Sequence, residues 1–436
     1  MSIEKEIEKK LNYNISYDVV KRNIADIGVM YFLSSMVDFN LVNEVIKGFM
    51  IKDNQILNGA IEMVSSINKA ITAINAGCLL IVYNKQLYIV ETRNYPNRSI
   101  SESDSEKVLK GAHDCFTESI LTNTALIRRR INDENFKCEL VSIGKKSKTD
   151  VCINYLDNKV NHKLLKNIKK KINELDVEYL PLQEKGLAEL LFNQKFQVFP
   201  KVRYSERPDI CAIHILKGYI VIMVDVTSSA IIVPTTFFEL NEQIEEYQLP
   251  SIIASINRLF RLFCIFIGLY LLPIWYMLCI DNNQLNNFVL IVDNVNPKHL
   301  FFQIITVTIF LNSIRLASIN VSNILSTSLS LIASIILSSL AVETGLVYPE
   351  VVFYCCLSLI SSYCIRNYET SKAISFWSLI LLLSVGLFNK VGFIIANSIL
   401  FLSLVTINNF GVYYLQPFIP FDIKKIISKI IKLPEK

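Results

Sequence analysis

Apolar and polar positions along this chain of 436 residues follow two rhythms, with the change near Pro250. Before it, short apolar runs alternate with amphipathic stretches; after it, the runs lengthen and lose their charges. In the first part, residues 56–75 space their apolar positions as an amphipathic helix, and 78–83 and 86–91, separated by Asn84-Lys85, predict a strand hairpin. The polar stretch 95–104 contains Pro96 and lacks periodicity, which predicts a loop with Ser103 or Asp104 capping a helix over roughly 105–131. Strands follow near 138–143 and 151–156, then a Lys-rich helix over about 159–174. Apolar runs at 210–216, 219–225 and 230–233 read as buried strands.

Beyond the acidic segment with Glu239, Glu242, Glu245 and Glu246, residues 259–280 form an apolar run with Arg261 at one end. Its length is about the 20 residues needed to cross a bilayer. Further candidates lie at about 323–342, 347–365, 373–388 and 391–409. A shorter run at 300–314, broken by Gln303, Thr306, Thr308 and Asn312, spans with tilt or is re-entrant. The expected fold is therefore an α/β cytoplasmic N-terminal region of two subdomains (1–100 and 101–250), followed by a polytopic α-helical membrane domain of five or six segments (258–420) and a basic amphipathic tail (421–436).

Composition agrees: 52% hydrophobic residues, 19% charged and a mean hydropathy of +0.38 exclude disorder and an ordinary soluble protein. The net charge of +5 hints at basic partners only until it is divided. Residues 1–257 hold 32 of the 44 basic and 32 of the 39 acidic groups, so the excess belongs to the apolar half. A neutral soluble region argues against nucleic acid as a partner. The ten cysteines show no C-x-x-C spacing, and five sit in apolar runs, so they read as reduced and structural. Residues 1–10 alternate Glu and Lys without an apolar core, so no cleavable signal is expected.

Charge also predicts topology. With all six segments crossing, Arg315, Arg366 with Lys372, and the tail lysines 424, 425, 429, 432 and 436 fall inside, Glu343 and Glu350 outside, and Lys298 and Lys390 are exceptions. Both termini are then cytoplasmic. In the tail, Ile423, Ile426, Ile427, Ile430 and Ile431 oppose the lysines, the pattern of a helix lying in an anionic interface or of a frayed basic end.

Enzymatic signals are weak. Residues 144–149 (Gly-Lys-Lys-Ser-Lys-Thr) lack the second glycine of a phosphate-binding loop. No G-x-S-x-G or H-E-x-x-H motif occurs, and the four histidines are scattered, so no catalytic residue, cofactor or metal site is assigned. Arg128, Arg129 and Arg130 turn ~100° at each helical step and cannot make one flat anion patch, which favours interdomain or intersubunit salt bridging. Ser322, Ser326, Ser330, Ser334 and Ser338 repeat every four residues, a stripe suited to close helix packing or to lining a water path. Glu343 and Glu350 are candidate pore-mouth acids, and Arg315 a candidate gate or interfacial charge.

Gly111-Ala112-His113-Asp114-Cys115-Phe116-Thr117-Glu118, followed by Thr122-Asn123-Thr124-Ala125-Leu126-Ile127-Arg128-Arg129-Arg130-Ile131, resembles the signature of the GerA family, the A subunits of bacterial spore germinant receptors. Gly144 with Ser147-Lys148-Thr149, Glu206-Arg207-Pro208-Asp209, Pro234-Thr235-Thr236, Arg315-Leu316-Ala317-Ser318-Ile319 and Ala341-Val342-Glu343-Thr344-Gly345-Leu346 continue the resemblance in order. Cys115 stands where the family has glycine, and Ile365-Arg366 replaces a proline-containing turn. Tyr95-Pro96-Asn97-Arg98 and Glu245-Glu246-Tyr247 look most like a sporulation-stage branch of that family. The resemblance implies a non-enzymatic subunit of the spore inner membrane, a homo-oligomer working with other germination membrane proteins and releasing monovalent cations or amplifying the response. It marks Glu118, Arg128, Arg129, Arg130, Glu206, Arg207 and Asp209 as candidate intersubunit or interdomain residues. A non-conducting scaffold and a nutrient-binding receptor subunit stay open as alternatives.

Overall fold

The computed structural model describes residues 3–24, 28–51, 61–94, 111–192, 197–243, 246, 249–281, 296–320, 331–333, 335–336, 341–409 and 411–431. The chain divides into two compact units. One comprises Met1–Gln197, Lys201–Thr235 and Asn409–Val412; the other comprises Val198–Pro200, Thr236–Asn408 and Tyr413–Lys436.

The first unit is α/β and holds two five-stranded sheets. Helix α1 (Ile3–Lys10) precedes β1 (Val19–Ile24), β2 (Gly28–Leu33), α2 (Phe39–Ile51), β3 (Ile61–Val64), α3 (Ile67–Asn75), β4 (Leu79–Tyr83) and β5 (Gln86–Val90). Helix α4 (Ile120–Arg128) leads to β6 (Phe136–Ile143), β7 (Thr149–Leu156), α5 (His162–Asn173), α6 (Gln183–Phe192), β8 (Arg203–Ser205), α7 (Pro208–Leu216), β9 (Ile220–Val224) and β10 (Ala230–Val233). The sheet orders are β1-β2-β4-β5-β3 and β6-β7-β9-β10-β8, every neighbouring pair antiparallel. Adding five to each strand of the first order gives the second, so the two sheets share one topology.

Local chemistry explains where the elements match the sequence pattern and where they depart from it. The β4–β5 hairpin turns on Asn84 and Lys85, both at positive φ (47° and 63°), the backbone that a tight two-residue loop requires. Residues 61–75 are not one helix: Ile61–Val64 pairs with β5, and the helix starts only at Ile67, because the sheet edge satisfies the strand's backbone and Ser66 sits extended at the N-cap. The helix expected over 105–131 is much shorter. Ser119 caps it at Ile120, while Asn123 Oδ1 accepts from Thr117 N (2.7 Å) and Phe116 N donates to Glu206 O (2.8 Å), which holds the preceding segment extended. The run 210–216 is helix rather than strand, with Pro208 in its first turn. A short apolar run buried around its circumference carries no helical period, so its pattern misleads. Residues 95–104, with the candidate caps Ser103 and Asp104, lie outside the described residues.

The second unit is helical: α8 (Phe237–Leu240), α9 (Ser251–Asp281), α10 (Pro297–Asn320), α11 (Pro349–Tyr363), α12 (Tyr368–Thr406) and α13 (Ile423–Ile430). Helices α9, α10 and α12 are long and apolar enough to cross a membrane, and α11 is a shorter apolar helix. Asn389 (φ 50°, ψ −138°) interrupts α12. The chain reverses there: a Cβ on Gly392 would lie 2.0 Å from the Ser384 carbonyl oxygen, and Leu400 packs in one cluster with Ala373, Ile374 and Trp377. The two limbs coincide with the separate runs at 373–388 and 391–409. At the turn, Lys390 pairs with Asp281 of α9 at 2.6 Å, so the lysine that breaks the loop-charge pattern carries its own counter-charge. The segment at 300–314 is continuous helix. Its Gln303 is buried, donating to Leu346 O (3.0 Å) and accepting from Tyr348 N (3.2 Å).

Candidate functional site

Three polar constellations stand out against this apolar background. The first lies in the α/β unit where the signature residues meet. Arg128, at the end of α4, is 4% exposed and clamps the fully buried Asp18 through two bonds, Nε to Oδ2 at 2.5 Å and Nη2 to Oδ1 at 2.8 Å. Its guanidinium also lies 5.2 Å from the Phe136 ring. Burial works against the charge of Arg128, and its neighbours, Asp18 foremost, together outweigh it and hold the guanidinium protonated. Next to the pair, Tyr17 hydrogen-bonds Thr124 (2.7 Å), and burial pushes its hydroxyl well above the phenol range. Tyr17 N donates to Cys138 O (2.9 Å), so the segment leading into β1 is fastened to β6, and the ion pair rivets one sheet's region to the other's.

Arg130 points elsewhere, to Asp114 at 2.6 Å and to Leu126 O at 2.8 Å. Arg129 is exposed. Arg207, 2% exposed, ties Asp209 (2.6 Å) to Ala112 O (2.9 Å), so the Glu206-Arg207-Pro208-Asp209 segment anchors the residues that precede α4. Glu118 is exposed, and its carbonyl accepts from Val226 N. The motif resembling a phosphate loop is the β6–β7 turn, with Lys145 and Lys146 facing Asp176 and Glu178.

The second constellation belongs to the helical unit. Glu246, 1% exposed, contacts Arg261 and binds Arg258 Nε at 2.6 Å; Glu242 lies 3.6 Å from Arg258. Glu239 closes a capping box with Thr236 and reaches Lys429 at 3.0 Å. Three acids thus meet three bases. The hydropathy pattern had left Arg261 as a lone charge at the end of a span; the structure supplies its counter-ion.

The third is a small cavity of about 30 Å³, room for a water or two, among α9, α10, α11 and α12. Thr308, Asn312, Ser358, Ser362, Ser375 and Ser378 are its polar lining. Thr308, Ser362 and Ser375 donate their hydroxyl hydrogens to backbone carbonyls (2.7–3.0 Å), and Asn312 Nδ2 donates to Thr308 O (3.0 Å). A hydroxyl whose hydrogen is committed in this way keeps its oxygen as an acceptor. Ser378, 5% exposed, finds no hydrogen-bond partner among the described residues. Arg315 adjoins it, 7% exposed, with Nη1 on Ser362 Oγ (3.3 Å), Nη2 on Ser371 Oγ (3.2 Å) and its guanidinium 4.6 Å from the Tyr363 ring. The structure thus places Arg315 at the α11–α12 junction.

Of the other candidates, Ser322, Ser326, Ser330, Ser334 and Ser338 lie outside the described residues. Glu343 is exposed and Glu350 sits half-buried in the first turn of α11. Asp18, the clamp around Glu246, and Ser371 were not singled out from sequence. A buried arginine needs a carboxylate, but nothing in the pattern says which one.

An α/β unit joined to a bundle of apolar helices, with buried polar clusters in both, defines a polytopic membrane protein. The family model described as the Bacillus/Clostridium GerA spore germination protein matches residues 5–436, and the chain belongs to that family. It is 30% identical to stage V sporulation protein AF of Bacillus subtilis, covering 98% of this chain and 91% of that one. It is 27% identical to spore germination protein A1 of the same organism, covering 98% and 92%. A crystal structure of the N-terminal domain of the A subunit of the Bacillus megaterium spore germinant receptor GerK3 aligns at 25% identity and a TM-score of 0.41, over 54% of this chain and 94% of that one.

Proposed function

We propose that this chain is an ion-conducting subunit of a spore germination complex, assembled with copies of itself and other germination membrane proteins in the spore inner membrane, both termini facing the core. It would release monovalent cations or amplify the germination response. The relatives' printed roles in germination and sporulation support the setting. The observation that carries conduction is the cavity lined by Thr308, Asn312, Ser358, Ser375 and Ser378, whose hydroxyl and amide oxygens suit water and monovalent cations in an otherwise apolar bundle.

Proteoliposomes holding the full chain, alone or with its partner proteins, should release potassium. Asn312→Leu with Ser378→Leu should cut that flux by about tenfold or more while light scattering shows an unchanged assembly. Val307→Ala, buried in the bundle but outside the cavity lining, serves as a packing control. No flux under either condition, with intact assembly, favours the scaffold reading.

A further inference from the structure

We infer that α13 is a binding site for anionic phospholipid, a short helix laid along the membrane surface at the foot of α9. The inference rests on α9 being a membrane span and not on ion conduction. Asp422 caps the helix, accepting from Lys425 N at 3.2 Å. At ~100° per residue, Ile423, Ile426, Ile427 and Ile430 fall on one arc, with Ile431 at its edge, and Lys424, Lys425, Ser428 and Lys429 occupy the opposite one. Ile426 and Ile430 are half-buried, whereas Ile423 (59%), Ile427 (47%), Ile431 (47%) and the preceding Phe421 (73%) stay exposed. Such a stripe beside exposed positive charge fits an acyl boundary below phosphate headgroups.

The position of the helix selects this occupant. Arg258 Nη1 on α9 donates to the carbonyls of Ser428 (3.4 Å) and Lys429 (3.2 Å), and Lys429 reaches back to Glu239. The C-terminal end of α13 is therefore pinned against a stretch of α9 that carries exposed apolar residues on both sides of Arg258: Ile252, Ile256, Leu259, Phe260 and Phe263 are each more than half exposed. The open isoleucines thus continue a surface that already faces lipid. Lys429 is committed to the charge cluster, while Lys424 and Lys425 are exposed, Lys425 within 3.4 Å of Asp422. Those two lysines are the headgroup contacts, and the cluster around Glu246 fixes where the helix lies.

The test uses the full chain in nanodiscs with brominated acyl chains. The protein has only two tryptophans, Trp275 and Trp377, both buried, so one added indole is readable. Ile427→Trp should be quenched at least twofold more strongly in discs containing phosphatidylglycerol than in phosphatidylcholine alone. Adding Lys424→Glu and Lys425→Glu should remove that difference. Phe263→Trp reports on α9 itself. If Phe263→Trp is quenched and Ile427→Trp is not, or is quenched equally in both lipids, the lipid site is overturned while the membrane span stands. If neither is quenched, the span fails as well. Quenching that is present with one chain per disc and lost when two chains share one would assign the face to a second copy and overturn the proposal.

Discussion

Arg128→Ala is expected to destabilise the α/β unit by about 3–5 kcal/mol, because it leaves Asp18 as a fully buried, uncompensated carboxylate. Asp18→Ala should cost a similar amount for the reciprocal reason. Arg128→Lys separates geometry from charge: an ammonium cannot make both guanidinium bonds to Asp18, nor stack as a plane on Phe136, so it should recover only part of the loss. The readout is already present. Cys138 is fully buried beside the pair, and burial first, then Cys152, hold its thiol well above the ordinary range, so it resists alkylation in the folded protein. Labelling Cys138 across a urea series, followed by peptide mass spectrometry, should show its midpoint fall sharply in Arg128→Ala and less in Arg128→Lys. An unchanged midpoint in Arg128→Ala would show that the pair does not hold the two sheet regions together.

The same pair shows where a single sequence stops being informative. Short-range patterns read well: Asn84-Lys85 between two apolar runs has one economical solution, and the β4–β5 hairpin adopts it. The paired runs that became β6 and β7, the Lys-rich α5 and the apolar stretch within α9 likewise carry their period or length locally. Run 210–216 failed because α7 is buried almost all round and loses the polar face that marks a helix. The helix expected over 56–75 failed at 61–64 because Ile61–Val64 becomes a strand only when β5 offers an edge. The shared topology of the two sheets is invisible residue by residue, since it resides in strand order. Asp18 and Arg128 are 110 positions apart, and no local property of Asp18 distinguishes it from other aspartates before the fold buries it. Hydroxyls follow the same rule. Ser362, Ser375 and Ser378 look like the other serines of an apolar run, and only the packing of four helices turns them towards one cavity.

Glu246→Ala should be the most damaging single change in the helical unit. It removes the carboxylate shared by Arg258 and Arg261, both at most about one-tenth exposed and so largely desolvated; Glu242 stays 3.6 Å from Arg258. Breaking a buried pair on one side costs about 3–5 kcal/mol, which for a unit of this size lowers the unfolding midpoint by roughly 10 °C. Glu246→Gln keeps the shape and some hydrogen bonding but not the charge, so it should fall between the wild type and Glu246→Ala. The decisive comparison is Glu246→Leu with Arg261→Leu. If desolvated charge is what makes the single change costly, replacing both groups with apolar side chains should restore much of the midpoint. Arg258 would then keep Glu242 and its bonds to the last turn of α13. Thermal unfolding of the full chain in detergent, followed through Trp377, which packs in the same unit, would test the series. A double variant no more stable than Glu246→Ala would mean that Glu246 acts through packing at the start of α9 and not as a counter-charge.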